Sequence, residues 1–562
     1  MATLEFLNPV ADTEFHHVPP AARADAGLDG RTVGLFWNMK PGGDVALKVV
    51  REKLAERFAG ATFRDYVGSV GSSVRLATPE DQDRMAAECD VVIGTTGDCG
   101  GCTSWLIHSM IGLEERGIAT ASIVARHFLD DAQRSASVLG LAGLPMVVID
   151  HTLNNATEAD IRGMVEPAIP RFVDALTQPV VEGAEPAAAP AARESVEGDD
   201  LLDCAAAYNA LLVERGWSDG LPLVPATPAS VERMLAGTKL GPETVVAKAL
   251  HPGLGVATVE KIAINGVMAG CRPEHMPVLI ALVRAYEGLG ILGKTQAIST
   301  GPNAPMVLLS GPVVERLGVN SGTCGVGPGS PSHVNTVVGR ALRLMLMNIG
   351  QAYPSVLDMD TIGSPHKYSF CLAENAAANP FEPWNVSKGY AGGDSTLSIA
   401  CVYPGPDIYD ITATSPEELL DTLISMTGSY NGTASAGRWL FGGRGDPTTG
   451  QKYREHHVLL LAPVHAALIS GHGWSLADVR DYLHRGSRIP FRRLGLNIVK
   501  PQAAALTAAK PEMSWLLDQP DTLVSIAERA ECYEVFVTGG DGGRSQFYYG
   551  GSEISTVRIE ES

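Results

Sequence analysis

The sequence predicts an α/β protein in two parts: a small doubly wound parallel sheet of flavodoxin-like order, then a larger mixed α/β region. Three observations carry this. Between residues 31 and 178, short β-rich runs alternate with amphipathic helical segments, the pattern of successive β-α units. Residues 179–200 change character: Pro179, Pro186 and Pro190, an alanine run, and Glu182, Glu185, Glu194, Glu197, Asp199 and Asp200 face a single Arg193. That composition reads as an extended, self-repelling linker. The stretch 201–562 that follows is long enough for a substrate-binding region with its own core.

Residues 1–30 have no clear period and contain Pro19-Pro20, and read as an arm lying on another surface. Thr32–Trp37 reads as a buried strand, Pro41-Gly42-Gly43 as a turn, and Asp44 as the cap of a helix with Leu47, Val50, Leu54 and Phe58 on one face. A weaker strand falls near Phe63–Val67. Thr78-Pro79-Glu80-Asp81 combines a capping hydroxyl, a first-turn proline and early acidic charge, for a helix ending near Cys89. Val91–Gly94 is the next strand, and Leu106, Met110 and Leu113 recur at helical spacing before Gly117. Ile118–Val124 and Pro145–Ile149 read as strands, and Thr157 starts a last helix to about Leu176, giving a sheet of about five strands. Beyond the linker the readings are a helix over Val259–Ala269, another from Pro273 to about Tyr286, a strand at Pro305–Leu309 and a helix from about His333 to Asn348 capped by Ser332.

A net charge of -20 repels polyanions and argues against a nucleic-acid partner. The first residues are acidic where a secretory signal is basic, and the apolar run Val458–Gly471 falls short of the ~20 residues of a membrane span. The expectation is a cytoplasmic protein without a membrane partner. Nine cysteines spread over 562 residues do not form a secreted disulfide framework, and Cys89, Cys204, Cys401 and Cys532 read as small buried hydrophobes.

Gly97-Asp98-Cys99-Gly100-Gly101-Cys102-Thr103-Ser104 places a C-x-x-C where a strand turns into a helix. Unsatisfied N–H groups and the dipole at a helix N-terminus favour thiolate, and the thiolate is the nucleophile. Asp98 would raise a neighbouring thiol by charge repulsion or act as a general base. Thr103 supplies a hydroxyl in the same turn. Spacing alone leaves either sulfur as the attacking one, and half a zinc site remains an alternative that would need two further ligands. His108, six residues after Cys102, lies about 240° round the helix and reads as a solvated or core histidine.

Other stretches supply candidate substrate contacts. Asn320, Ser321, Thr323 and Cys324 belong to a glycine-rich loop whose amides, ahead of a helix, could hold a carboxylate or phosphate, although the lysine of a P-loop is missing. Cys371, Glu374 and Asn375, with His366 just before, would share a face if the segment were helical. Arg272 at a helix break could pair a substrate carboxylate, as could Arg340 and Arg544. The loop Asn38–Asp44 lacks the Ser/Thr richness that cradles a flavin phosphate.

The segment Gly97–Ser104 resembles the U-G-S-C family of bacterial (seleno)proteins, in which selenocysteine or cysteine precedes Gly-Ser-Cys. The resemblance covers residues 30–178, with Gly101 in place of the family's serine, and extends distantly to the selenoprotein subunits of glycine and proline reductases, which cleave C–N bonds reductively. It implies that the position of Cys99 is one that reacts, and so favours Cys99 as nucleophile and Cys102 as the resolving sulfur. The expected function is therefore thiol redox chemistry or reductive cleavage of a small organic substrate, completed by the larger region. An external thiol or a thioredoxin-like donor would supply electrons, with no tightly bound cofactor and zinc as an option. A non-redox lyase, hydratase or sulfur-transfer enzyme is the alternative, and a metal-binding protein a third reading; a homo-oligomer is compatible with all three.

Overall fold

The computed structural model describes residues 1–560 except 14–15, 24–26, 72–73, 181–190, 428–436, 495–505 and 508. The N-terminal region is a five-stranded parallel sheet with the strand order Thr62–Val67, Thr32–Trp37, Val91–Gly97, Ala119–Ala125, Met146–Ile149. The central strands read as near-continuous apolar runs because helices cover both faces. The order doubles back once, between Thr32–Trp37 and Val91–Gly97, as in flavodoxin-like sheets.

The helices follow the sequence signals with instructive departures. Thr78 caps Pro79–Glu88 in a capping box with Asp81. The first helix, Gly43–Arg57, is capped by Gly42 at φ 82° and not by Asp44, which lies within the first turn. Only glycine suits that position, since its left-handed backbone also sits against Leu153. A helix over Leu129–Val138 was not legible as such. The last helical stretch is broken into Glu158–Val165 and Ile169–Thr177 by a tight turn containing Pro167.

The larger region is built on a seven-stranded mixed sheet. Ala304–Ser310 pairs in parallel with Cys371–Ala373 and antiparallel with Thr396–Tyr403; the long strand Arg544–Arg558 then joins Thr396–Tyr403 to His457–Leu461 and Tyr533–Val537. Asp407–Tyr409 adds to the other end of Arg544–Arg558. Its main core lies under the helices Val259–Ala269, Met276–Gly288 and His333–Asn348. Ser332 does not cap the last of these through its side chain.

The arm and the linker carry structure of their own. Ala2–Leu7 pairs antiparallel with Arg193–Gly198, inside the stretch read as an extended linker, and Phe6 sinks into the larger region's core. Residues 181–190 of that stretch lie outside the described residues. Further along the arm, Arg23 forms a buried pair with Glu114 at 2.9 Å, and Glu114 also accepts from Ala21 N–H and Thr120. Ala2–Leu7 thus binds the larger region, and Ala21 and Arg23 bind the N-terminal one. Among the described residues no single helix is long and apolar enough to cross a membrane.

Candidate active site

The single reversal of strand order creates a crevice at the carboxyl ends of Thr32–Trp37 and Val91–Gly97, the usual ligand position in such sheets. The loop after the first strand and the turn after the second meet there. Asn38 donates its backbone N–H to Thr95 O and its Nδ2 to Thr96 O, both at 2.9 Å. Lys40 Nζ comes within 3.9 Å of Asp98 Oδ1.

Cys99 is the N-cap of Gly100–Glu114, and its Sγ accepts the Cys102 N–H at 3.2 Å. The two cysteines are joined as a disulfide with Cα atoms 5.3 Å apart. Their environments differ: Cys99 is half-buried, whereas Cys102 is 0% exposed. Asp98 is buried, and burial pushes its carboxyl above the usual carboxylate range against the pull of Lys40 and of hydrogen bonds from Leu153 and Asn154. Thr103 is also fully buried, and its hydroxyl has no hydrogen-bond partner among the described residues. Gly101 faces open space on its Cβ side.

The larger region presses on this turn. Gly100 lies against the Ile298 carbonyl and the Met359 side chain, with no room for a Cβ. Trp105, one helical turn on, packs with Ile298, Leu357, Val70 and Leu76. The Lys294 ammonium stands 4.5 Å from the Trp105 ring centroid, and burial pushes it down to about 8 while Asp131 opposes the shift. His108, packed edge-on to Trp105 at 5.4 Å, is held down at about 3 by burial and by Lys294. It is a core histidine at the boundary between the regions.

Met359 also lines a cleft of about 1390 Å³. One wall carries Arg126, Asp130 and His151, from the segments that follow the last two strands of the parallel sheet; the other carries Arg343, Asp360 and Lys367. Lys367 bridges Asp358 at 2.8 Å and Asp360 at 2.6 Å. Burial lifts the Asp360 carboxyl to about 6 despite that partner. Met359 thus touches both the cleft, which holds the Asp360 carboxyl, and the cysteine turn at Gly100.

Apart from His366 and Arg340, which adjoin the cleft, the other sequence-derived candidates gather elsewhere. Asn320 Nδ2 donates to Thr323 O and Ser332 Oγ, both at 2.9 Å, and Ser321 O accepts from Gly539 N–H. Cys324 is exposed at φ 59°. Glu374 and Asn375 do not share a helix face with Cys371, because Cys371–Ala373 is drawn into the sheet beside Val307–Leu309. Glu374 accepts from Ser310 Oγ at 2.5 Å, Asn379 Nδ2 at 2.7 Å and Trp384 N–H at 2.9 Å; Asn375 donates to Gly539 O. The Cys371 thiol is buried and pushed up to about 12. His366 packs on Phe370 and reaches Tyr548 at 3.4 Å.

Asn320 and Cys371 are tied to the start of His333–Asn348 through Asn335, which accepts from Asn320 N–H and donates to Cys371 O, whereas His366 stands between Pro365 and Lys367 of the cleft lining and hydrogen-bonds Ser364, another lining residue. Arg343 and Met347, further along that helix, line the cleft, about 15 and 21 Å from its first residue at 1.5 Å per residue. Of the arginines, Arg272 is exposed beside Glu274, Arg544 pairs with Asp407, and Arg340 is bidentate at 2.7 and 2.9 Å to Asp219, a residue of the cleft lining.

Sequence reasoning missed Lys40, Lys294, Trp105, Met359 and Asp360. Lys40 was recoverable, since the expected strand order already brings its loop to Asp98. Trp105 lies one turn beyond the cysteines but its packing partners do not show in the sequence, and Lys294, Met359 and Asp360 come from far along the chain and carry no local signal. Among the described residues no group of three or more His, Cys, Asp or Glu is placed to hold a metal ion.

Fold and site together define an α/β protein with a cysteine pair at the switch point of a doubly wound sheet. Residues 5–178 match the model of the UGSC family, so the likeness lies in the part that bears the cysteines. None of the curated proteins matches the chain.

Proposed function

We propose that this protein is a cysteine-dependent enzyme whose Cys99/Cys102 pair performs thiol redox chemistry or reductive cleavage on a small organic substrate entering from the Met359 cleft. The observation that carries the reading is the asymmetry of the pair. Cys99 is half-open and sits at the helix N-terminus, where the Cys102 N–H stabilises sulfur charge; Cys102 is wholly buried. A pair built this way attacks with the first sulfur and resolves with the second. Two electrons leave the dithiol as the S–S bond forms, and an external thiol or thioredoxin-like donor restores it.

The test is intact-mass analysis with candidate small molecules. Cys99→Ser should abolish adduct formation and turnover, whereas Cys102→Ser should trap the adduct on Cys99. Full activity in the double serine variant would end the proposal. The elevated Asp360 carboxyl in the cleft favours a second reading, a non-redox lyase or hydratase in which this group moves the proton and Cys99 bonds covalently to the substrate. Turnover that consumes no reductant would select it.

A further inference from the structure

The turn that carries the cysteines also buries a carboxylate whose two oxygens have different neighbours. Asp98 Oδ2 accepts the Leu153 N–H at 3.2 Å. Oδ1 stands 3.6 Å from Cys102 Sγ and 3.9 Å from Lys40 Nζ. Lys40 and Cys102 are the ionisable groups facing it, with Cys99 its neighbour in the chain. Although Asp98 precedes Cys99, the sulfur its carboxylate approaches is that of Cys102.

A resolving thiol must lose its proton before it can attack, and Cys102, at 0% exposure, has no water to take it. We propose that Asp98 is the proton acceptor for Cys102 and that Lys40 is the positioning residue that keeps Asp98 ionised. This rests on the reading of Cys99 as the attacking sulfur. With Cys99 in a mixed disulfide with RS, the Cys102 S–H proton passes to the Asp98 carboxylate. The resulting thiolate attacks Cys99 Sγ, the Cys99–SR bond breaks, and RS⁻ leaves with the electron pair and takes up a proton. In this oxidative half RSSR gains two electrons and becomes two RSH, one proton coming from solvent while Asp98 holds that of Cys102, and the cysteine pair loses two electrons and becomes the disulfide. When an external dithiol reduces the pair, the protonated Asp98 returns its proton to the Cys102 thiolate. Burial makes Asp98 a stronger base than an exposed carboxylate, and the Lys40 ammonium opposes that rise.

The experiment follows the full-length reduced protein after mixing with glutathione disulfide, with acid quenching and intact-mass detection. Formation of the Cys99–glutathione adduct and its conversion to the intramolecular disulfide are read separately as functions of pH. Asp98→Asn keeps the acceptor for Leu153 N–H. It should leave adduct formation within about twofold and slow ring closure by about 10²-fold, so that the adduct accumulates. Lys40→Met, at a partly exposed site, should move the acidic limb of ring closure to higher pH, because loss of the ammonium makes Asp98 harder to ionise. Ring closure in Asp98→Asn at the wild-type rate and pH profile, or equal slowing of both steps, would overturn the assignment of Asp98. Absence of any adduct on Cys99 in the unaltered protein would instead remove the reading on which the assignment rests.

Discussion

At Gly97–Cys102 and at Asn320–Ser330, glycines lead the chain into a helix past a cysteine, and in both turns polar side chains crowd the helix start. The hydrogen-bond accounts of the two differ. Around Asn320 and Glu374 the polar groups satisfy one another: Asn320 with Thr323 and Ser332, and Glu374 with Ser310, Asn379 and the Trp384 N–H. Around Cys99 a buried carboxylate faces a buried sulfur, a threonine hydroxyl lacks a partner, and a second sulfur is half-open. Glycine content and residue type do not separate a site from a self-contained loop. The separation comes from whether the polar groups are already spent.

The largest effect that would sharpen this comparison is on thiol exchange. Cys99→Ser should reduce reaction with a small disulfide by on the order of 10³-fold, while Cys324→Ser, at the exposed cysteine of the other turn, should leave it within about twofold. Stopped-flow exchange measures both. A comparable loss in the two variants would erase the distinction.

Stability should behave in the opposite way. Glu374→Ala strands three donors in the interior and should cost about 3 kcal/mol in denaturant unfolding, with the exchange rate of Cys99 unchanged. In the cysteine turn, Gly100→Ala should cost about 2 kcal/mol, because its Cβ meets the Ile298 carbonyl and Met359. Gly101→Ser should fall within about 0.5 kcal/mol of the parent, since its Cβ side is open. Equal effects at the two glycines would mean that the larger region does not press on the turn as described.

A pH-dependent effect concerns the boundary between the regions. Burial and the Lys294 ammonium hold His108 down at about 3 and His251 at about 4, below the ordinary 6.5. The folded protein then binds fewer protons than the unfolded chain between those values. Stability should be full above pH 6.5 and decline as the pH falls towards 4 and then 3, by up to about 1.4 kcal/mol per pH unit for each histidine. His108→Gln should flatten that decline in denaturation curves taken across the range.

Much of the fold was legible because its signals are local. Thr78-Pro79 marks a helix start, the apolar runs at Val33, Val92 and Ile123 mark buried strands, and alternation with helices gives the parallel order. Leu129–Val138 was lost because short polar residues such as Asp130, Asp131 and Ser135 interrupt its apolar face, although Asp131 and Ser135 are themselves buried. Cys371–Ala373 was read by helical spacing because three residues carry no period of their own, and pairing with Val307–Leu309 decided the matter. The cysteine pair was visible for the same local reason as the capped helices. Its surroundings were not, since Ile298, Met359 and Lys294 reach it only through the packing of one region on the other.

The central claim is that Cys99, though less exposed than Cys324, is the reactive thiol. Peptide-resolved mass spectrometry of the reduced protein, after brief iodoacetamide labelling from pH 5 to 9, tests it directly. The account predicts that Cys99 labels faster than Cys324 at pH 6 and that Cys102 stays unlabelled. Faster labelling of Cys324 at every pH would contradict it.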